Sequence, residues 1–206
     1  MKYFGCDLSH WNYINSFEAV ADSVDFVILK AGGSDKGFYT DSTFKNRYDG
    51  FHAYDVPVGA YYFVGAKCLS KADGEADALR FIDRLKGKKF EYPVYMDVEA
   101  PPAGKKDAVT EAVIGFCEVM ENYGYYVGIY ASDISGFKER MHINKLDDYD
   151  KWVASYSRFP SYVKEPFGMW QYSSTGKVAG IVGNVDLDIC YYDFPAIMKS
   201  KHLNGF

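Results

Sequence analysis

The chain has 206 residues, 48% hydrophobic and 25% charged, enough to bury a sizeable core in one domain covering residues 1–206. A net charge of -5 with no Lys/Arg stripe argues against a nucleic-acid surface, because binding phosphates needs clustered cations. No apolar span is long enough to cross a bilayer, which argues against membrane insertion, and Met1–Asp7 reaches an acid too soon to hold a signal peptide's apolar core, so synthesis in the cytoplasm is expected.

Strand-like apolar runs recur in chain order. They are Tyr3–Asp7, Phe26–Lys30, Val58–Phe63, Val94–Glu99, Val127–Tyr130, Trp152–Tyr156, Met169–Tyr172 and Val182–Ile189, eight in all. Helical patterns separate the early ones. Asp41 precedes Phe44, Tyr48 and Phe51 at helical spacing, and Ser70-Lys71-Ala72-Asp73 resembles a capping box ahead of Ala76 and Leu79. Lys86–Lys89 reads as a helix C-terminus favoured by positive charge. Asp107 can cap a helix whose Val109, Val113, Phe116 and Met120 form one stripe, with Gly124 at its end.

Strand, helix, strand, repeated, implies a parallel sheet, and eight strands suggest an α/β barrel of the TIM type. Only 15 residues separate Gln171 from Asp186, too few for a comfortable helical crossover. The expected fold is therefore an irregular TIM-like β/α barrel of eight strands with helices missing between the last strands.

The run Tyr92-Pro93-Val94-Tyr95-Met96-Asp97-Val98-Glu99 organises the chemistry. Strand side chains alternate between faces, so Asp97 and Glu99 point the same way with Cα atoms roughly 6.6 Å apart, close enough to straddle one bond of a substrate. Pro101 and Pro102 then end the strand. On its own the run is equally a strand running into water with acids at its tip. Asp7 and Asp186 also fall near strand ends, and enzymes built on barrels work at that face.

Other chemistries fit less well. Ser9-His10 lacks a nucleophile elbow, and Ala31-Gly32-Gly33-Ser34 and Gly176-Lys177 lack the spacing of a phosphate cradle. His10, His52, His142 and His202 form no close ligand pair, so no metal or other cofactor is expected, a hard cation on carboxylates being the best metal alternative. Cys6, Cys68, Cys117 and Cys190 are scattered and read as buried thiols, with a Cys6–Cys190 bridge as the alternative if the first and last strands meet. The 19 tyrosines serve either a core or a sugar-lined groove.

Seven fragments in order carry a family resemblance. They are Phe4-Gly5-Cys6-Asp7-Leu8-Ser9-His10-Trp11, Phe26-Val27-Ile28-Leu29-Lys30-Ala31, Gly59-Ala60-Tyr61-Tyr62-Phe63, Tyr92-Pro93 through Asp97-Val98-Glu99, Trp152-Val153-Ala154-Ser155-Tyr156, Met169-Trp170-Gln171-Tyr172-Ser173-Ser174 and Gly183-Asn184-Val185-Asp186-Leu187-Asp188. Together they resemble glycoside hydrolase family 25, the muramidase (lysozyme) family common in phage endolysins. The resemblance implies a hydrolase that cuts the β-1,4 bond between N-acetylmuramic acid and N-acetylglucosamine in bacterial peptidoglycan. It also implies action on the cell wall after release, as in phage or prophage lysis.

Carried over residue by residue, Glu99 matches the proton donor, Asp97 its partner acid, and Asp7 and Asp186 two further acids lining the cleft. Asp188 departs from the pattern, since the family more often has Asn there, and by strand alternation it can bring an extra charge into the site. Tyr61, Tyr62, Tyr130 and Trp170 are candidate sugar contacts. A monomer is expected. A chitinase-like glycosidase and a non-catalytic glycan-binding barrel are the alternatives, and both substrate-assisted and direct acid mechanisms stay open.

Overall fold

Strand and helix alternate through the first part of the computed structural model, which describes residues 1–156 and 158–206, and the helices then drop out. The first half contains β1 (Tyr3–Leu8), β2 (Tyr13–Ile14), α1 (Phe17–Ala21), β3 (Phe26–Gly33), β4 (Tyr39–Thr40), α2 (Phe44–His52), β5 (Val58–Phe63) and α3 (Lys71–Leu85). The second contains β6 (Val94–Asp97), α4 (Lys106–Asn122), β7 (Val127–Ser132), β8 (Asp150–Ala154), β9 (Met169–Gly176), β10 (Ile181–Val182), β11 (Val185–Cys190) and α5 (Phe194–Lys201).

Eight strands close a barrel in the order β1, β3, β5, β6, β7, β8, β9, β11, with β11 returning to β1. The first seven run parallel, and β11 runs antiparallel to both neighbours. The short return from β9 is the reason, since antiparallel neighbours need no crossover. This is the irregular eight-stranded barrel expected. Several boundaries differ from expectation: β3, β7 and β9 run on past their expected ends, β8 starts and stops two residues early, β6 stops at Asp97, leaving Glu99 beyond the strand, and Val182 belongs not to the last barrel strand but to β10, which pairs with β2.

Local chemistry sets the helix ends. The Ser70 side chain accepts the Asp73 N–H at 3.2 Å, while the Asp73 carboxylate accepts the Ser70 hydroxyl at 2.6 Å and the Leu69 N–H at 3.1 Å. The face α3 buries is Gly74, Asp77, Ala78, Phe81, Ile82 and Leu85, so Leu79 and Ala76 point to solvent, contrary to the sequence pattern. On α4 the stripe Val109, Val113, Phe116 and Met120 is buried as expected, and Gly124 follows with φ +81°, a conformation that favours glycine. Asp107 sits in the first turn, where it favours the helix dipole, and Lys105 holds the cap position.

The barrel wall separates two apolar compartments. Outside it, Val27, Leu29, Ala60, Tyr62, Met96 and Ile129 pack against the helices. Inside, Phe26, Ile28, Tyr61, Tyr95, Tyr130 and Trp152 fill the lumen, and Phe194 and Met198 of α5 join the same cluster. Gly128 leaves room for the Tyr95 ring, which a Cβ there would approach to 2.5 Å. Part of the tyrosine excess is therefore lumen filling, as with Tyr95, whose hydroxyl donates to Asp150 at 3.1 Å. All four cysteines are buried and free. Cys6 and Cys190 lie on adjacent strands but in different compartments, which separates their thiols.

Candidate active site

Where the lumen meets solvent, the aromatic filling gives way to acids. Asp7 of β1 stands directly opposite Asp186 of β11 in the ladder, and Asp97 ends β6 between Phe63 and Tyr130 of the neighbouring strands. Glu99 follows two residues later. Asp7, Asp97, Glu99 and Asp186 all line one cavity, together with Tyr61, Tyr130, Trp152 and Gln171. The acids form a gradient: Asp97 and Asp7 are buried, at 3% and 7% exposure, Asp186 is half-buried, and Glu99 is exposed at the mouth.

A hydrogen-bonded network fixes the floor. The Gln171 amide nitrogen donates to Asp7 Oδ2 at 2.7 Å, and its oxygen accepts the hydroxyls of Tyr130 and Tyr156, each at 2.8 Å. The Trp152 indole N–H donates to Asp188 Oδ1 at 2.8 Å. Asp97 Oδ1 is buried with no hydrogen-bond partner among the described residues. A buried acceptor left open in this way is costly, and a ligand N–H or O–H entering the cavity would satisfy it.

The electrostatics keep protons in the site. Burial pushes the Asp97 carboxyl well above the usual carboxylate range, the Glu99 charge adds to this, and Lys30 opposes it. Glu99 is also raised, by partial desolvation first and the Asp186 charge next, against Arg140 and Lys30. Asp7 is raised well above normal by burial and by Asp186, with the Gln171 hydrogen bond pulling the other way. Asp186 itself is raised by burial. Carboxyl groups in environments of different depth can hold different protonation states at one pH, which is what paired acid–base chemistry requires.

Two of the expected sugar contacts lie elsewhere. Tyr61 and Tyr130 line the cavity, but Tyr62 points out of the barrel, its ring 5.6 Å from Phe81 and 6.4 Å from Phe116 and its hydroxyl 3.4 Å from Asp77. Trp170 likewise faces away from Gln171, donating its indole N–H to the Ser155 carbonyl at 2.9 Å and packing on Phe159. The cause is alternation: once Tyr61 and Gln171 face the lumen, their chain neighbours cannot.

Several residues of the site were not singled out from sequence. Gln171, Trp152, Tyr156, Arg140 and Lys30 all bear on the acids through the contacts above. Lys30 had a legible signal, a cation inside the apolar run Phe26–Ala31; it is 9% exposed, with Nζ 4.5 Å from the Phe63 ring centre. No group of three or more His, Cys, Asp or Glu side chains among the described residues has a metal-holding arrangement.

Comparison with known proteins gives a consistent pattern. Residues 6–181 match the family model described as glycosyl hydrolases family 25. An autolytic lysozyme of Clostridium acetobutylicum is 29% identical, over 84% of this chain and 51% of its own length. A D-alanyl-L-alanine endopeptidase of Streptococcus phage B30 is 28% identical, over 73% of this chain and 37% of its own. The chain thus spans about half, or less, of the curated relatives it matches. In structure, the CTP1L endolysin superposes with a TM-score of 0.83 at 23% identity, over 96% of this chain and 70% of that one, a likeness of fold.

Proposed function

The chain belongs to glycosyl hydrolases family 25, and from that premise we propose that it is a lysozyme-type peptidoglycan hydrolase cutting the β-1,4 bond between N-acetylmuramic acid and N-acetylglucosamine. The observation that carries this reading is the meeting of Asp7, Asp97, Glu99 and Asp186, from three distant stretches of sequence, around one cavity. On this reading residues 1–206 act as a single catalytic domain and a monomer on the bacterial cell wall.

Glu99 is the proton donor. Its raised pKa lets it keep a proton at pH values where an ordinary glutamate has lost it. The proton passes to the glycosidic oxygen as the bond to the anomeric carbon breaks. The carbonyl oxygen of the substrate's own 2-acetamido group closes on that carbon, and Asp97 accepts the acetamido N–H. The open Oδ1 of Asp97 favours this substrate-assisted route over direct attack by an acid. That hydrogen bond also favours the ionised form of Asp97, and the resulting charge strengthens the hold of Glu99 on its proton.

In the second half, Glu99, now a carboxylate, takes a proton from water as the water opens the ring, and configuration at the anomeric carbon is retained. Asp186 and Asp7 supply negative charge near the sugar carbon as it becomes cationic. Tyr61 and Tyr130 offer ring faces to the sugar. None of these steps calls on a cofactor.

The test is release of new reducing ends from purified peptidoglycan by the parent and by Glu99→Gln. The variant should lose about 10²- to 10⁴-fold in rate. Product mass separates the bond cut: a muramidase leaves muramic acid at the reducing end, and a chitinase-like enzyme does not. An unchanged rate in E99Q removes the assignment.

A further inference from the structure

Asp188 is fully buried beneath the cleft and has no role in the steps above. Its Oδ1 accepts the Trp152 indole N–H, and indole can only donate, so that oxygen is an acceptor. Its Oδ2 is also buried, and no N–H or O–H from a neutral side chain or the backbone reaches it among the described residues. The group it can meet is another acid: Asp7 pairs with Asp186 and Gly5 with Asp188 in the β1–β11 ladder, so Asp7 and Asp188 are diagonal neighbours on the same face of the barrel wall, close enough for each carboxyl to act on the other.

Two buried carboxyl groups in contact cannot both be ionised, so the pair holds a proton. The side that carries it follows from the surroundings. Asp7 Oδ2 accepts the Gln171 amide N–H, while the Gln171 oxygen accepts the hydroxyls of Tyr130 and Tyr156. Asp7 also opens onto the cavity, whereas Asp188 has 0% exposure and no access to water. The anion belongs on Asp7 and the proton on Asp188 Oδ2.

We propose that Asp188 is a positioning residue that works as a neutral carboxylic acid, its Oδ2–H donating to Asp7 and holding that carboxylate against the reaction centre. The proposal rests on the hydrolase reading of the Asp7 site. Burial raises both carboxyls, and the hydrogen bond between them pushes Asp188 up and Asp7 down. The titratable groups around Asp188 are Asp7, Asp186 and Cys190 on its own face of the wall and, through the wall, Cys6 of β1 and Tyr172 of β9, every one an acid. Loss of the Asp188 proton at high pH puts two like charges side by side and displaces Asp7.

Asp188→Asn keeps an acceptor for Trp152 and a donor for Asp7 but cannot ionise, while Asp188→Leu removes both. In infrared difference spectra at pH 6, wild type minus D188N should show a protonated-carboxyl C=O band. D188N should keep activity within about threefold at pH 6, whereas D188L loses about tenfold to a hundredfold in kcat, the cost of one hydrogen bond to a charged group.

Stability gives a readout free of catalysis. The folded protein keeps the Asp188 proton that the unfolded chain releases near pH 4. Wild-type Tm should therefore fall more steeply than D188N Tm as pH rises from there. Absence of the infrared band, or a D188N enzyme as impaired as D188L, overturns the proposal. A wild type that releases no reducing ends sinks the hydrolase reading, while the band and the Tm slope still decide the proton.

Discussion

Replacing Gln171 with methionine removes the amide that ties Asp7 to Tyr130 and Tyr156 while refilling nearly the same volume, so little cavity cost adds to the effect. Two buried groups lose their partner: the Asp7 Oδ2 atom and the hydroxyl of Tyr130, in residues 7% and 6% exposed. Each such orphan costs about 1–3 kcal/mol. Tyr156 is 46% exposed, so its hydroxyl can turn to water and adds little. The expected loss is therefore about 2–6 kcal/mol, or roughly 5–20 °C in Tm for a domain of this size. Thermal unfolding followed by circular dichroism measures it directly. In the same variant Asp7 loses the hydrogen bond that lowers its pKa and is freed to turn, so kcat should fall more than KM rises. A Tm within roughly 2 °C of the parent, together with unchanged kcat, would refute the claim that this network holds the floor of the site.

The Asp186 charge raises the Glu99 pKa, so Asp186→Asn should lower it, and the alkaline limb of the kcat/KM profile on peptidoglycan should move to lower pH while the acid limb, set by Asp97, stays in place. An alkaline limb that stays put, or moves up, contradicts the coupling. Lys30 acts in the opposite sense on both acids, so Lys30→Met should raise both and carry both limbs to higher pH. A profile of unchanged position in K30M shows that the ammonium group does not act on the pair.

Much of the architecture was legible because its signals are local. Each barrel strand coincides with an apolar run, and the Ser70–Asp73 cap and the α4 stripe are contacts between residues within a turn or two of one another. The missing helical crossover between β9 and β11 was readable from chain length alone, because the 15 residues from Gln171 to Asp186 cannot hold a strand, a helix and a return. Where local reading failed, a remote partner had decided the outcome. On α3 it is the packing of Gly74 against Ala112 of α4 that turns Leu79 to solvent, since a Cβ at Gly74 would overlap the Ala112 carbonyl. The site divides the same way. Asp97 and Glu99 were marked by being two residues apart at a strand end, whereas Gln171 and Asp188 matter only through partners 164 positions away and 36 positions away, Asp7 and Trp152.

What the sequence determined by itself was the order and type of the elements, the ring of eight strands and the acids at strand ends. Which face of each strand looks into the barrel was decided only by its closure. In β3 and β6 every residue is buried, and in β5 all but the last, because one face meets the lumen and the other meets the helices. Hydrophobicity then no longer alternates, so nothing local distinguishes Tyr61, which lines the cleft, from Tyr62, which is sealed behind it. The parity of a strand is set by the neighbours it pairs with, and the pairing that closes the ring, β1 with β11, joins the two ends of the chain.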